Sequence, residues 1–422
     1  MAQVVHSCSW KNNTVILRLE PYSLNLRTSF GTSHSATSER FNGLVTIKVN
    51  ELTGYGECAM PPKKPGVYLA DYNDCVSYFK AFIQHIVKTM ENFDEQNIIR
   101  YDPFGTVPTE FFSALRNPGS DQSDNVVLLR AFFHIMDTIS ESKLPESRVA
   151  RNAIEMALLD LWGQTLHSPT AAIILGSDFD LHPKPGYYTI AMNSDSEQMI
   201  RSTHFGLQHT PYLKLKMNRN ISFWSSWLPK LHKICSDALD DRPFHWSIDA
   251  NADWTPRVAL DMLQVLAPFR HNITMIEQPF PVHMNDEELK EWALVKTAYE
   301  KSGFAIYADE SVGTSDDIIR LISVAHGVNI KLDKAGGVRE ALRTFHAARA
   351  AGLDVWFGIM VCSRLSTSMA ACLLPLSTLG GDLDGELLVD EVSDRFTGGL
   401  DWHASTGFIT PPRGYGLGLQ KK

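Results

Sequence analysis

Apolar and polar positions follow three successive rhythms along this chain. The first belongs to strands. "NTVILRLEPYSL" and "FNGLVTIKVNELTGYGE" are rich in β-branched residues and broken by Gly and Pro, which predicts extended segments near the N-terminus. A polar loop, "RTSFGTSHSATSER", lies between them, and a second, "CAMPPKKPGVY", follows the second run. The rhythm then turns helical in "CVSYFKAFIQHIVKTM" and "NVVLLRAFFHIMDTI", with a loop around "NPGSDQSD" between them. "SRVARNAIEMALLDLWGQTLH" predicts a further helix, with Ser147 as its cap and Ile154, Leu158, Leu161 and Trp162 on one face. From about Tyr187 short apolar runs alternate with helical stretches: "GYYTIAM", "YLKLKM", "FHWSIDA", "NITMIEQ", "FAIYADE", "VNIKL" and "DVWFGIM".

Strict alternation of strand and helix implies right-handed parallel βα units. Seven such runs, and an eighth near "GDLDGELL", suffice to close a barrel. After about Leu388 the alternation is lost, and the expectation is that this last stretch folds back on the first part of the chain.

Composition narrows the class. A chain of 422 residues fits two domains rather than one ordinary core. Hydrophobic residues make up 44% and charged residues 21%, as in a soluble globular protein. With 39 Lys and Arg against 48 Asp and Glu, the net charge of −9 argues against nucleic acid as a partner. Cys8, Cys58, Cys75, Cys235, Cys362 and Cys372 are scattered without a C-x-x-C pair, so reduced thiols in a cytoplasmic protein are expected. The N-terminal residues lack the pattern of a signal peptide, and no uninterrupted apolar run is long enough for a membrane span.

The chemistry concentrates at the ends of the barrel runs. Asp249 in "WSIDAN", Glu277 in "MIEQPF" and Asp309 in "AIYADES" each close an apolar run. Lys214 and Lys216 in "YLKLKMN" precede them and Lys331 in "VNIKLDKAGG" follows. Lys216, Asp249, Glu277, Asp309 and Lys331 fall at intervals of 33, 28, 32 and 22 residues. A βα unit of such a barrel takes ~30 residues, so five successive strands each bring one group to the same rim. Taken singly, each acid reads as an exposed strand end or a helix cap. Together, three carboxylates on adjacent strands crowd negative charge, which a hard divalent cation relieves. Lys214 and Lys216, two apart on a strand, face the same way. Each ammonium is expected to lower the other's pKa, which suits a general base. Lys331 would face them across the site, and lysines on opposite faces of a carbon acid suit racemisation or epimerisation. Lys334 in the same segment reads as an ordinary surface residue.

"KLK", "DAN", "IEQPF", "ADES" and "NIKLDKAGG", together with the upstream "AIEMALLDLWGQ", resemble the enolase superfamily, in particular its muconate-lactonising-enzyme-like subgroup. The resemblance spans roughly residues 15–390. It implies an α/β fold: a modified TIM-type (β/α)7β barrel with an α+β capping domain. The expected division is 1–182 for the capping domain, 183–390 for the barrel, and 391–422 for a C-terminal segment that packs back on the cap. The resemblance implies one Mg2+ per site on Asp249, Glu277 and Asp309. It implies Lys216 and Lys331 as the acid/base pair with Lys214 in support, acting on the proton α to a carboxylate.

Within the subgroup, dipeptide epimerases resemble this chain in an Asp-x-Asp at the eighth strand that holds the substrate's α-ammonium. Asp382 and Asp384 in "DLDGELL" match it, although "GGDLDG" also reads as a turn. Two capping loops, Ser29–Ser35 and Ala59–Tyr68, are expected to close over the substrate. There Lys63 and Lys64 suit an acidic side chain or are simply solvated, whereas Phe30, Met60 and Tyr68 suit an apolar one. Phe30, Met60 and Met360 join Lys214, Asp382 and Asp384 as expected substrate contacts. Cys362 stands where the family usually has Glu before the Ser, and reads as a small buried residue. The expected function is a Mg2+-dependent dipeptide epimerase acting on a small-molecule substrate, with no nucleic acid or membrane partner; a homo-oligomer is compatible with it. The alternatives are an o-succinylbenzoate-synthase-like dehydratase, an N-acylamino-acid racemase, a cycloisomerase, or a non-catalytic binding relative.

Overall fold

The computed structural model describes residues 3–31, 36–61, 63, 68–91, 93–116, 123–139, 144, 148–193 and 195–422; the side chains of 29–31 and 36 lie outside the description. Ser147, Lys64 and the side chain of Phe30 are therefore outside the described residues.

The N-terminal runs form an antiparallel sheet of β1 (Val4–Trp10), β2 (Asn13–Gly31), β3 (Ala36–Val49) and β4 (Leu52–Cys58), in that order. Val15, Leu17 and Leu19 of β2 are fully buried and alternate with more exposed residues, so one face of the sheet meets the core. Six helices follow: α1 (Tyr72–Glu91), α2 (Glu95–Arg100), α3 (Ser113–Arg116), α4 (Asp124–Thr138), α5 (Arg148–Thr165) and α6 (Thr170–Leu175). Among the described residues, the stretch between Cys75 and Ser147 thus contributes mainly helix. α5 is buried on nearly every side. The glycines of "LTGYGEC" explain how close it lies to the sheet: a Cβ on Gly54 would sit 2.1 Å from the Ala157 carbonyl oxygen, and one on Gly56 would be closer still to that of Ala153. Only glycine permits backbone to ride on backbone in this way.

The second layer is a barrel. After the two-residue β5 (Lys184–Pro185), eight parallel strands run in consecutive order: β6 (Tyr188–Ile190), β7 (Tyr212–Lys216), β8 (His245–Asp249), β9 (Ile273–Glu277), β10 (Ile306–Ala308), β11 (Gly327–Ile330), β12 (Asp354–Gly358) and β13 (Gly381–Asp382). Tyr187 N donates to Gly381 O at 2.8 Å, which brings the last strand against the first. The outer helices are α7 (Ser196–Leu207), α8 (Ile221–Ala238), α9 (Pro256–Leu266), α10 (Asp286–Lys301), α11 (Ile318–Leu321), α12 (Leu332–Ala335), α13 (Val338–Ala350), α14 (Arg364–Ala371) and α15 (Gly385–Leu388). Apart from the charged residues at their C-terminal ends, the strands are largely apolar and buried on both faces, as expected of a parallel sheet covered by helices.

Buried polar ties fix the cap on the barrel rim. Asn152 Nδ2 of α5 donates to Asp333 Oδ1 at 3.0 Å. Glu155, also on α5, accepts from the backbone N and the Nε of Arg339 at 2.8 and 2.9 Å. Gly337 has φ +130°, and a Cβ there would collide with the Glu155 carboxylate. The "AGG" that follows Lys331 therefore lets the cap dock beside the site. Glu57 at the end of β4 accepts from Ser363 Oγ at 2.6 Å. The C-terminal strands β14 (Phe396–Gly398), β15 (Asp401–His403), β16 (Phe408–Thr410) and β17 (Leu419–Lys421) pair among themselves and with β5. The chain just before them reaches back to β2: Asn25 N donates to Ser393 Oγ at 3.0 Å, and Arg395 Nη1 to Glu20 Oε1 at 2.7 Å. Among the described residues no helix is long and apolar enough to cross a membrane.

Candidate active site

Register brings the charged residues together. Lys216 pairs with Asp249 and Asp249 with Glu277, so three neighbouring strands end level. Asp309 follows the end of β10 and Lys331 follows β11. Counted from β6, the lysines belong to the second and sixth of eight strands, on opposite sides of the barrel mouth, with the acids on the third to fifth between them. Each acid of the triad is at most 2% exposed, and one oxygen from each lies within 4.8 Å of the others.

Lysines surround the triad. Lys214 Nζ, buried, lies 2.9 Å from Glu277 Oε1, 3.2 Å from Asp249 Oδ2 and 2.8 Å from Asp382 Oδ2. Lys216 Nζ donates to Asp249 Oδ2 at 2.8 Å, and Lys331 Nζ to Asp309 Oδ2 at 2.7 Å. Burial works against the Lys214 charge, but Asp382, Glu277 and Asp249 outweigh it and raise its pKa well above the usual range. The lowering expected from its ammonium neighbour is overruled, because three carboxylates are closer than that expectation allowed. Burial likewise opposes charge on Lys331, and Asp309 reverses it to a raised pKa.

The acids respond unequally. Burial would raise Asp249, yet Lys216 and Lys214 hold it well below the carboxylate range. Glu277 is pushed up to about 8, by burial first and then by the charges of Asp249 and Asp309. Its Oε2 sits 2.7 Å from Lys214 Nζ but outside hydrogen-bond geometry, and it has no other partner. Oxygens bound to one Mg2+ at ~2.1 Å stand ~3–4 Å apart, so this donor set fits a small hard cation. A dication there would offset the burial and repulsion that raise the Glu277 pKa.

Several contributors escaped the sequence reading. Lys334 is buried, not a surface residue: the first turn of α12 swings it under Asp309, where Nζ meets Oδ1 at 2.5 Å as well as the backbone carbonyl. Asn329, two residues before Lys331 and so on the same strand face, donates to Glu277 Oε1 at 2.8 Å. Gln278 follows Glu277 at φ +40°, and its Oε1 accepts from Asp309 N at 2.7 Å, tying two metal-candidate strands together. Asn251 and Ala252 are also left-handed, so the backbone turns away sharply after Asp249.

The expected clamp is rearranged. β13 ends at Asp382, so Asp384 does not share a strand face with it. Asp382 accepts from Lys214 and, through Oδ1, from Trp356 Nε1 at 2.6 Å. Asp384 accepts from Thr189 N at 2.7 Å across the barrel seam, and burial raises its pKa to about 6. Met60 and Met360 are buried at the cap–barrel boundary. Met360 packs with Ala59 and Cys362, while Met60 lies against Cys75. Cys362 is fully buried beside Thr367, consistent with a packing role. Lys63 pairs with Asp71 on the surface. Tyr68, at the end of the second expected capping loop, stands close enough to Asp309, Glu310, Asp249 and Glu277 that burial and their charges raise its hydroxyl pKa well above the usual range.

A family model described as Enolase C-terminal domain-like matches residues 214–422, which include every strand that carries the lysines and acids. An enolase superfamily member from Dictyostelium discoideum is 38% identical over 424 residues, 97% of each chain. The chain belongs to the enolase superfamily. Its superfamily relatives include an L-Ala-D/L-Glu epimerase from Bacteroides thetaiotaomicron, 28% identical over 382 residues that cover 90% of this chain and 81% of that one. The substrate-liganded L-Ala-D/L-Glu epimerase from Bacillus subtilis shares the fold, with a TM-score of 0.70 at 21% identity over 96% of this chain and 98% of that one. The two epimerases are isomerases of amino-acid derivatives, the enzyme class expected from the sequence.

Proposed function

We propose that this superfamily member is a Mg2+-dependent epimerase that inverts the α-carbon next to the carboxylate of a dipeptide. One observation carries the reading: Lys216 and Lys331 flank the acid triad from opposite sides of the barrel, each hydrogen-bonded to a different acid. Asp249, Glu277 and Asp309 are the residues that would hold the cation, which supplies positive charge where the substrate carboxylate gains negative charge. The chain's own groups do the proton work. One lysine in its neutral form takes the α-proton from one face, and the other, as an ammonium, returns a proton to the opposite face. Lys214, held charged among Asp249, Glu277 and Asp382, adds positive potential beside them. Asp384 would receive the substrate's ammonium, with its carboxylate anchored by Thr189. The six thiols, all free, suit the cytoplasm.

A second reading rests on Asp382. Both of its oxygens are engaged within the protein, which leaves Asp384 as the principal ammonium acceptor. A weaker clamp favours an N-acylamino acid, which has no ammonium there. Incubation of the Mg2+-loaded protein in D2O with a dipeptide library, read by mass spectrometry and NMR, tests the proposal. One deuterium at the C-terminal α-carbon with loss of configuration is expected. No exchange with any member of the library would overturn it.

A further inference from the structure

Beside the acid triad, between the cap and the loops after β9 and β10, lies a cavity of about 410 Å3 that the proton chemistry does not use. Lys334 and Glu310 line it where it meets the site, and both adjoin Asp309. Its other walls are largely apolar: Leu69 and Val149 from the cap, Met284 and Leu289 after β9, Val312 and Leu321 after β10. Most of its charged lining is already engaged. Asp317 Oδ2 accepts from the backbone N of Gly313 and Thr314 at 2.9 and 2.8 Å, Arg320 Nη2 donates to Met284 O at 2.8 Å, and Asp333 is held by Asn152.

Topology says which part of a substrate would reach it. Asp384 follows the eighth strand and the cavity lies beyond the fourth and fifth, directly across the barrel, with the triad between. A dipeptide held by its ammonium at Asp384 and by its carboxylate at the triad brings its C-terminal residue to the cavity side. We propose that this cavity receives the side chain of the residue being inverted, and that it selects a large apolar one, of leucine or phenylalanine size. The inference rests on the proposed chemistry at the triad. The volume falls within the ~300–1,000 Å3 of small-molecule pockets, far more than a methyl group fills. Burying such a side chain favours it over alanine by about 10- to 100-fold. The competing occupant is an acidic side chain, drawn by the remaining donors of Arg148 and Arg320.

The test measures kcat/KM for α-deuterium exchange by the Mg2+-loaded full chain on two series, L-Ala-L-Xaa and N-acetyl-L-Xaa, with Xaa as Phe, Leu, Ala or Glu. Within whichever series turns over, Phe and Leu should exceed Ala by about 10- to 100-fold and should also exceed Glu. Leu289→Arg, in the cavity wall, should shift the preference toward Glu. Leu294→Arg, on the exposed face of the same helix (73% exposed), should leave the profile unchanged. A parent preference for Glu, or equal rates for Ala and Phe, overturns the pocket assignment. Exchange confined to the N-acetyl series overturns the dipeptide reading, and the side-chain profile within that series then decides the pocket; exchange in neither series overturns both.

Discussion

Gly358→Ala tests whether the residues under the rim set the activity of those on it. Gly358 ends β12, pairs with Asp382 and faces the barrel interior. A Cβ there would lie 2.5 Å from Asp382 Oδ1 and 2.7 Å from Asn329 Oδ1. Ordinary heavy-atom contacts are ~3.5 Å or longer, so both side chains must give way by most of an ångström. Neither is free to do so. Asp382 Oδ1 holds Trp356 Nε1 at 2.6 Å while its other oxygen holds Lys214, and Asn329 Nδ2 holds Glu277 Oε1 at 2.8 Å. A hydrogen bond to a charged group contributes ~1.5–3 kcal/mol, and losing about that much from the supports of Lys214 or Glu277 costs ~10- to 100-fold in rate. The expectation is a fall of that size in kcat/KM for α-proton exchange. Mg2+ affinity, read by calorimetric titration, falls as well, because Asn329 supports Glu277. Circular dichroism should remain native. A natively folded variant whose exchange rate and Mg2+ affinity both stay within twofold of the parent would refute the claim that this inner ring positions the site.

Two further outcomes follow from the same structure. Glu57 is fully buried without a cationic partner, and burial raises its pKa to about 7 from an ordinary 4.5. The folded state therefore binds the extra proton between those values, and stability falls as pH rises through that window, by ~3 kcal/mol for a shift of this size; Glu57→Gln should flatten this part of the melting-temperature profile, and an unchanged slope would count against it. Asp384→Asn should raise KM for dipeptides by tenfold or more while leaving Mg2+ affinity within about twofold, and undiminished dipeptide turnover would remove Asp384 from the clamp.

Much of the site was legible because a βα barrel converts sequence period into spatial neighbourhood. Asp249, Glu277 and Asp309 each close a buried run, and the register joins them on one rim. Lys334 carried a readable signal too: it lies three residues after Lys331, the spacing of neighbours on a helical turn. Asn329 lies two before Lys331 on a strand and shares its direction. The electrostatics of Lys214 were not legible, since its pKa depends on three carboxylates supplied by β8, β9 and β13. Nor were the different partners of Asp382 and Asp384, which follow from where β13 stops. The left-handed turns at Asn251, Ala252 and Gln278 have no glycine to announce them. The apolar cavity is assembled from the cap and two separate loops, so no single segment hints at it.

The central claim is that two lysines serve opposite faces of one carbon. It is tested most directly by α-proton exchange in D2O, followed by NMR for each epimer of one active dipeptide with Lys216→Ala and Lys331→Ala. Each variant should lose net inversion, yet each should still exchange the α-proton of one epimer, and the two variants should retain opposite epimers. If both variants retain exchange on the same epimer, or either still interconverts the two, the two-lysine account is wrong.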